Sequence, residues 1–189
     1  MNHQSYMLEH ARIYQELQKE EYGLEIQEMA DKIIPIFQQN GVLFVAGNGG
    51  SFADAQHFVG ELVGGYTTWD RKAMKAIALA SNSPTLTATG NDTSFKNIFC
   101  RELGAWDATP YILLAMSTSG DSENIIQAVK YAQSQHKTTF GFSGKKGGKL
   151  EQLADLCLTV PHHQTNIIQN AHNAMYHRLA ELIEAGYTP

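Results

Sequence analysis

The sequence predicts a three-layer α/β/α fold, built on a five-stranded parallel sheet and preceded by a helical extension. Three observations predict it: short unbroken apolar runs recur along the chain, helical patterns separate most of them, and each run ends in a polar or glycine-containing turn. Unbroken apolar strands that alternate with helices are typical of a parallel sheet covered on both faces. We expect one domain over residues 1–189, because no repeat, low-complexity tract or linker interrupts the chain.

The chain is predicted to begin with two helices over roughly residues 3–39, broken near Gly23. Ile26, Met29 and Ile33 recur at the spacing of one helical face. We therefore interpret residues 1–40 as an N-terminal helical extension and residues 41–189 as an α/β core with a closing helix.

Five apolar or β-branched runs are the predicted strands, at residues 42–46, 76–79, 111–116, 138–142 and 156–160. Residues 122–136 show a helical pattern between two of these strands, and residues 164–185 predict the long closing helix. In folds of this kind, ligands bind beyond the carboxyl ends of the strands.

Composition and charge limit the class of function. Hydrophobic residues make up 43% and charged residues 17% of the chain, which is typical of a globular rather than a disordered protein. A net charge of −5 argues against a nucleic-acid surface, since that surface requires clustered Lys and Arg. We expect no membrane span and no signal peptide, because no window approaches 18 uninterrupted apolar residues and the start is polar.

Cysteine usage agrees with a cytoplasmic location, which we expect for this chain. Cys100 and Cys157 stand far apart in apolar contexts and form no CxxC motif. We therefore expect buried free thiols, as in a reducing compartment, and no thiol metal site.

Two strand ends carry turns of small residues that lead directly into helices. Residues 47–51 read Gly-Asn-Gly-Gly-Ser, and residues 117–122 read Ser-Thr-Ser-Gly-Asp-Ser. Glycine lets the backbone approach a ligand closely, and a helix N-terminus supplies free N–H groups for an anion. Either turn alone could simply cap a helix, but the two together favour a phosphate site. The dinucleotide-binding and Walker A patterns fail, because Phe52 occupies a required glycine position and no GK[ST] follows.

His57 and Glu61 lie one turn apart on the helix that follows the first of these turns. Such a pair can hold a divalent ion, or it can set a carboxylate beside an imidazole for proton transfer. An exposed surface pair has the same spacing, so this pattern alone leaves both interpretations open.

The closing helix carries further polar side chains, Gln169, His172 and His177, among apolar neighbours. Buried polar groups need partners, so these residues either reach a site or are core residues bonded to backbone carbonyls. His162 and His163 follow the last strand in a polar loop, where we expect surface residues.

The segments GNGGS, DAQHFVGEL, TGND and STSGDS, with Gln169 and His177 near the end, resemble the phosphoheptose isomerase family of sugar isomerase (SIS) domains. The resemblance covers nearly the whole chain, in order and at the family spacing. The combination is specific, whereas GNGGS or STSG alone would indicate only a sugar-phosphate SIS domain.

The resemblance implies an aldose–ketose isomerase that converts sedoheptulose 7-phosphate to D-glycero-D-manno-heptose 7-phosphate. This reaction is an early step toward the heptose of lipopolysaccharide or of other surface glycans. The resemblance also implies a homotetramer with active sites between subunits, and one zinc ion in each site.

The resemblance assigns roles to residues by position in the motifs. It places substrate contacts at Asn48, Gly49, Gly50, Ser51, Glu61, Asn91, Asp92, Ser117, Thr118, Ser119, Ser122 and Gln169, and among these the hydroxyls of residues 117–122 hold the phosphate. The implied zinc ligands are His57, Glu61, Gln169 and His177. Glu61 and His177 are also the implied acid–base residues.

The chain departs from the family pattern at a few positions. Gly65 stands where the family usually has an arginine, and Asn166, Ile167 and Asn170 replace an aspartate, an arginine and an acidic residue. These departures bear on substrate identity more than on the fold. An isomerase of another sugar phosphate is therefore one alternative.

A second alternative is a regulator that senses sugar phosphates or a module that docks a protein partner. A related non-catalytic branch usually lacks the glutamate and the last histidine, and both are present here as Glu61 and His177. Isomerisation passes through an enediol(ate) and needs a base near the transferred proton and an electrophile for the oxygen. We assign Glu61 as the base and His177 as the acid, and leave open whether Glu61 is base, metal ligand or both.

Gln169 and His177 are eight residues apart on one predicted helix. They are thus separated by about 12 Å of helical rise and point roughly 80° apart. One metal ion is barely reachable by both from a straight helix. Either His177 comes from a neighbouring chain or the helix is distorted, and we favour the shared site because symmetric assemblies can place two helices side by side.

Overall fold

The computed structural model describes residues 2–187, and it confirms the predicted α/β class. One parallel sheet has the strand order β2-β1-β3-β4-β5. Its strands are β1 (Val42–Ala46), β2 (Ala76–Ala78), β3 (Tyr111–Ser117), β4 (Thr138–Gly144) and β5 (Leu156–Val160). β1 and β5 have the predicted bounds, and the other three strands differ from their predicted runs by one or two residues at one end.

Helices connect the strands and cover both faces of the sheet. The α-helices of the described residues are α1 (His3–Leu17), α2 (Glu20–Gln38), α3 (Gly50–Val63), α4 (Ser83–Asp92), α5 (Ile98–Leu103), α6 (Glu123–Ser134), α7 (Gly148–Leu153) and α8 (Thr165–Gly186). The long closing helix and the helix after β3 therefore form where their patterns predicted them. In the part of the chain that the structure describes, none of the helices is both long and apolar enough to cross a membrane.

The alternation of side chains along β1 shows the three layers. Leu43 and Val45 join a buried cluster with residues of α2, α3 and α8, whereas Val42, Phe44 and Ala46 join a second cluster with residues of α5 and α6. Successive strand residues point to opposite faces, so a strand that is apolar throughout is buried from both sides. The three-layer prediction is confirmed.

The predicted helix break near Gly23 is wrong. α1 ends at Leu17, α2 begins at Glu20, and Gly23 lies in the first turn of α2. A Cβ at Gly23 would meet no atom within 4 Å, so no crowding requires a glycine there. Glu20 and Glu21 instead mark the start of α2, because negative charge at a helix N-terminus is favourable.

Helices α3 and α8 lie side by side on one face of the sheet and run in the same direction. The first turn of α3 meets α8 where Ser51 lies 3.4 Å from Gln169, and the third turn meets it where Glu61 lies 4.0 Å from His177. α3 starts directly after β1, so this helix pair begins at the carboxyl edge of the sheet.

Both cysteines are free thiols, as predicted, but neither is fully buried. Cys100 and Cys157 each keep intermediate exposure. Burial nevertheless raises the pKa of Cys157 to about 12, so its thiol stays protonated and unreactive near neutral pH.

Candidate active site

The glycine-rich turn, residues 47–50, joins β1 to α3, which begins at Gly50. Gly49 has a φ of +54°, a conformation that side chains disfavour. A Cβ at Gly50 would lie 2.5 Å from the side-chain amide nitrogen of Gln169, so a larger residue at position 50 would displace the end of this side chain. The turn is therefore shaped by close contact between α3 and α8.

The serine loop, residues 117–122, joins β3 to α6. The hydroxyl of Ser117 lies 3.1 Å from that of Ser122 and 3.4 Å from that of Ser119. Gly120 has a φ of +70°, and a Cβ there would overlap the carbonyl of Gly147 in the loop after β4. Gly120 thus packs the serine loop against the loop after β4, while the hydroxyls of Ser117, Ser119 and Ser122 lie close to one another.

A reciprocal amide pair joins the glycine-rich turn to the serine loop. Asn48 donates to Asn124 at 2.9 Å, and Asn124 donates back at 2.8 Å. Asn124 is buried at the start of α6. Sequence analysis missed Asn124, because an asparagine near a helix start carries no pattern that distinguishes this role from ordinary capping. The pair brings two helix N-termini and several hydroxyls to one edge of the sheet, an arrangement that suits an anion.

A second group of polar side chains lies farther along α3 and α8. The Nε2 atom of His57 is 2.9 Å from a carboxylate oxygen of Glu61, and Nε2 of His177 is 4.0 Å from the same oxygen. One ligand atom from each of the three residues lies within 4.8 Å of the others. We call these three residues the His–Glu–His cluster.

The surroundings of His177 favour its neutral form. Burial and the nearby His57 lower the pKa of His177, and the opposing attraction of Glu61 does not cancel them. The ring of Tyr66 stacks on His177 at 5.7 Å between centroids, with 19° between the planes. A neutral imidazole offers a lone pair to a metal ion or to a proton.

The expectation that His177 reaches the site from a neighbouring chain is wrong, because one chain brings Glu61 and His177 together. The implied location of active sites between subunits stays a prediction. α8 does not need to be distorted either, since it is one continuous helix and Gln169 lies elsewhere. The Gln169 amide donates to the Ser51 hydroxyl at 3.4 Å, beside the glycine-rich turn. Because α8 runs alongside α3, its successive turns meet different turns of α3. The role of Gln169 as a metal ligand therefore stays a prediction.

The predicted substrate contacts Asn91 and Asp92 lie at the end of α4 and are exposed. Their side chains bond to each other at 2.7 Å. Among the hydrogen bonds of residues 2–187, none joins either side chain to the serine loop or to the glycine-rich turn. Their contact with substrate stays a prediction.

Two of the departures from the family pattern hold α1 against α8. Asn170 bonds His10 at 2.9 Å, and the hydroxyl of Tyr14 donates to the Asn170 carbonyl at 3.3 Å. Asn166 donates to the hydroxyl of Tyr6 at 3.4 Å. These amides contact the N-terminal extension of their own chain.

The three remaining histidines of the C-terminal part differ in their surroundings. His162 was expected on the surface, but its side chain is only 13% exposed and pairs with Glu9 at 3.2 Å, so that prediction is wrong. His163 is exposed as expected. His172 is fully buried and bonds the carbonyl of Ser143 at 2.9 Å, which confirms the alternative of a core histidine. Burial lowers the pKa of His172 to about 4.

A buried carboxylate, Glu184, anchors the loop that follows α3. It accepts hydrogen bonds from the backbone N–H groups of Tyr66, Thr67 and Thr68 at 2.8–3.1 Å, and from Arg71 at 2.7 Å. Burial by itself raises the pKa of Glu184, but these hydrogen bonds and that of the Thr67 hydroxyl outweigh it and lower the pKa to about 2. Glu184 therefore stays ionised and fixes the segment that presents Tyr66 to His177.

Arg71 links this anchor to the end of α3. Its guanidinium donates to the backbone carbonyls of Glu61 at 2.7 Å and Leu62 at 2.8 Å while it pairs with Glu184. Carbonyls at a helix C-terminus lack intrahelical partners, so Arg71 satisfies them beside the cluster. Sequence analysis missed this pair, because the two residues are 113 positions apart.

The comparisons with known proteins agree with this geometry. A sequence model of the SIS domain family matches residues 5–144. The phosphoheptose isomerase of Trichlorobacter lovleyi is 36% identical over 178 residues, which cover 94% of this chain and 90% of that protein. The phosphoheptose isomerase of Rhodospirillum rubrum is 40% identical over 159 residues, 84% of each chain.

Solved structures give the same result. Phosphoheptose isomerase GmhA from Neisseria gonorrhoeae is 33% identical, with a TM-score of 0.87 and 96% of each chain covered. A phosphoheptose isomerase from Francisella tularensis is 31% identical, with a TM-score of 0.91 and the same coverage.

Proposed function

We propose that this chain acts on sedoheptulose 7-phosphate. The chain belongs to the phosphoheptose isomerase family of SIS domains, and it is an aldose–ketose isomerase of sugar phosphates. The product is D-glycero-D-manno-heptose 7-phosphate, formed through an enediol(ate). The names of the relatives support the substrate class. We propose further that the product supplies heptose for surface glycans.

One observation carries this proposal: an anion-binding edge and the His–Glu–His cluster lie along the same pair of helices. α3 begins at the glycine-rich turn, and at 1.5 Å per residue His57 lies about 10 Å farther along its axis. This separation suits an extended sugar phosphate, with its phosphate at one end and its carbonyl at the other. We propose that the serine loop and the glycine-rich turn bind the phosphate, with Asn91 and Asp92 as further substrate contacts.

The proposed proton transfers use two residues of the cluster, Glu61 and His177. Glu61 takes the proton from the carbon next to the carbonyl and returns it to the neighbouring carbon. Its lowered pKa keeps His177 neutral at rest, so its imidazole can accept the proton of the substrate hydroxyl. As the acid, His177 then donates this proton to the former carbonyl oxygen, which completes the enediol(ate) step.

The cluster also fits a zinc ion, because imidazole nitrogens and a carboxylate oxygen are its usual ligands. His57, Glu61 and His177 would hold the ion, with Gln169 as the proposed fourth ligand. Bound there, zinc would polarise the carbonyl and hydroxyl oxygens of the substrate. Catalytic zinc sites can expand to five ligands, so a substrate oxygen would bind beside these four. We propose a homotetramer as the working assembly.

The test is direct turnover with a defined substrate. Purified protein is incubated with sedoheptulose 7-phosphate, and the aldose product is followed by NMR or by a coupled enzyme. We expect the heptose 7-phosphate to form, and we expect fructose 6-phosphate to react far more slowly. Turnover of another ketose phosphate in preference to sedoheptulose 7-phosphate would overturn the substrate assignment.

A further inference from the structure

The hydroxyl of Tyr176 contacts His57 on the side away from Glu61. Tyr176 is fully buried on α8, and its oxygen lies 2.9 Å from Nδ1 of His57. The Nε2 atom of the same imidazole faces Glu61 at 2.9 Å. Asn173, one turn earlier on α8, donates its amide N–H to the Tyr176 oxygen. His57 is therefore held at both ring nitrogens.

One arrangement of the protons follows from the orientation of the Asn173 amide, whose N–H₂ group faces the Tyr176 oxygen. A phenol has one proton to donate, and its oxygen can also accept. Because Asn173 donates to the Tyr176 oxygen, the Tyr176 proton points to Nδ1 of His57. A neutral imidazole carries one proton, which then lies on Nε2 and donates to Glu61. In this arrangement the Nε2 lone pair does not exist, so Nε2 cannot bind a metal ion.

Metal binding through Nε2 requires the opposite arrangement. The ring proton must then lie on Nδ1 and donate to the Tyr176 oxygen. The Tyr176 proton must in turn find another acceptor. Asn173 provides one, because its side chain carries a carbonyl oxygen as well as the N–H₂ group, and a rotation of the amide exchanges them. The three side chains can thus reverse their hydrogen bonds without moving apart.

We infer that Tyr176, with Asn173, is a positioning residue that fixes the orientation of His57 and holds it in the tautomer that binds a divalent ion through Nε2. This inference rests on the proposed metal site. In a metal-bound histidine, the ring nitrogen that does not bind the metal usually donates a hydrogen bond, which orients the ring and raises its basicity. Loss of this hydrogen bond typically weakens metal binding about 10–100-fold. The ring of Tyr176 also packs against His57, with 5.5 Å between centroids, so removal of the hydroxyl alone separates positioning from packing.

The test measures zinc affinity of the metal-stripped full-length protein by competition with a chromophoric chelator. Wild-type protein, Tyr176→Phe and His57→Ala are compared. We expect the dissociation constant of Tyr176→Phe to rise about 10–100-fold, and His57→Ala to lose tight binding. Unchanged affinity in Tyr176→Phe, with binding lost in His57→Ala, would overturn the positioning role and leave the proposed metal site standing. Unchanged affinity in His57→Ala would overturn the metal site and this inference together.

The wild-type protein provides a second readout that needs no variant. NMR correlation of the ¹⁵N-labelled imidazoles shows which nitrogen of His57 carries the proton. We expect Nε2–H in the metal-free protein and Nδ1–H after zinc is added. A proton that stays on Nε2 in the zinc-loaded protein would overturn the inference, whether or not Tyr176→Phe folds.

Asn173→Asp tests the acceptor role of Asn173. An ionised carboxylate only accepts hydrogen bonds, so in this variant residue 173 can only accept the Tyr176 proton. This is the arrangement that metal binding through Nε2 of His57 requires. We expect zinc affinity equal to or tighter than that of the wild-type protein. A zinc affinity weakened as in Tyr176→Phe would show that Asn173 is not the acceptor of the Tyr176 proton.

Discussion

The two ends of the site are built in different ways. The proposed phosphate end consists of residues 47–51 and 117–122, and it combines small hydroxyls with glycines that allow close packing. The carbonyl end is the His–Glu–His cluster, made of three side chains on two helices. The proposed phosphate end is formed by the turns that follow two neighbouring strands, whereas the proposed carbonyl end is formed by side chains of α3 and α8 and exists only when these helices pack together. Binding and chemistry should therefore respond separately to substitution.

The largest expected effect is at the carbonyl end. Glu61→Gln keeps the size of the side chain but removes the base, so we expect kcat to fall by about a hundredfold or more. Binding of inorganic phosphate, measured by its inhibition of the wild-type enzyme and by calorimetry on the variant, should stay unchanged. Near-normal turnover would remove Glu61 from the chemistry. Loss of phosphate binding in the variant would show that the two ends are not separable.

A smaller effect is expected at the phosphate end. Ser119→Ala removes one hydroxyl from the serine loop, and a lost hydrogen bond to a charged group costs about 1.5–3 kcal/mol. We expect KM to rise by the corresponding factor, about 10- to 100-fold at 1.4 kcal/mol per factor of ten, while kcat stays nearly constant, because the phosphate is held alike in the ground and transition states. The matched control is Ser134→Ala at the far end of α6, whose hydroxyl bonds the Tyr131 carbonyl. Equal KM values for the two variants would exclude Ser119 from the site.

The smallest effect on activity is expected for His172, which lies on α8 but belongs to neither end. Its pKa is lowered to about 4 when folded, from an ordinary value of 6.5. The unfolded chain therefore binds the proton more tightly, so stability from this residue is complete above pH 6.5 and is lost as the pH falls toward 4. At 1.36 kcal/mol per pKa unit, the loss is about 3 kcal/mol.

Urea unfolding of the wild-type protein and of His172→Gln between pH 4 and 7 checks this assignment. We expect the free energy of unfolding of the variant to change less with pH than that of the wild-type protein. kcat/KM at pH 7.5 should be nearly the same for both. An identical pH dependence would show that His172 is not the titrating group, and a large loss of activity would place it in the site.

The contrast between the two ends also explains what the sequence alone could predict. The strands and the phosphate end were predicted, because apolar runs and Gly/Ser turns are local signals. His57, Glu61 and His177 were named by resemblance, but the expectation that His177 comes from another chain was wrong. Only the packing of α8 along α3 shows that one chain supplies all three residues.

The supporting residues were missed for a related reason. Asn124, Arg71 and Glu184 act through partners that are 76 to 118 positions away, and no spacing pattern marks such contacts. The misplaced helix break at Gly23 has the opposite cause. Glycine is a strong local signal for a helix break, but one glycine early in a helix costs only about 1 kcal/mol. The packing of the surrounding residues therefore decides where the helix breaks.

The most direct test of proton transfer at the carbonyl end is the reaction in D₂O. Glu61 is partly exposed, with 20% of its side chain accessible, so the proton that it carries can exchange with solvent before it returns to the substrate. Sedoheptulose 7-phosphate is incubated with the enzyme in D₂O, and the aldose is analysed by NMR and mass spectrometry. We predict deuterium on carbon 2 of the product, and with Glu61→Gln we predict that product formation and exchange both slow by about a hundredfold or more. Product formed by the wild-type enzyme without deuterium would mean a hydride shift or a transfer closed to solvent, and it would contradict the assignment of Glu61 as a base that exchanges its proton with solvent.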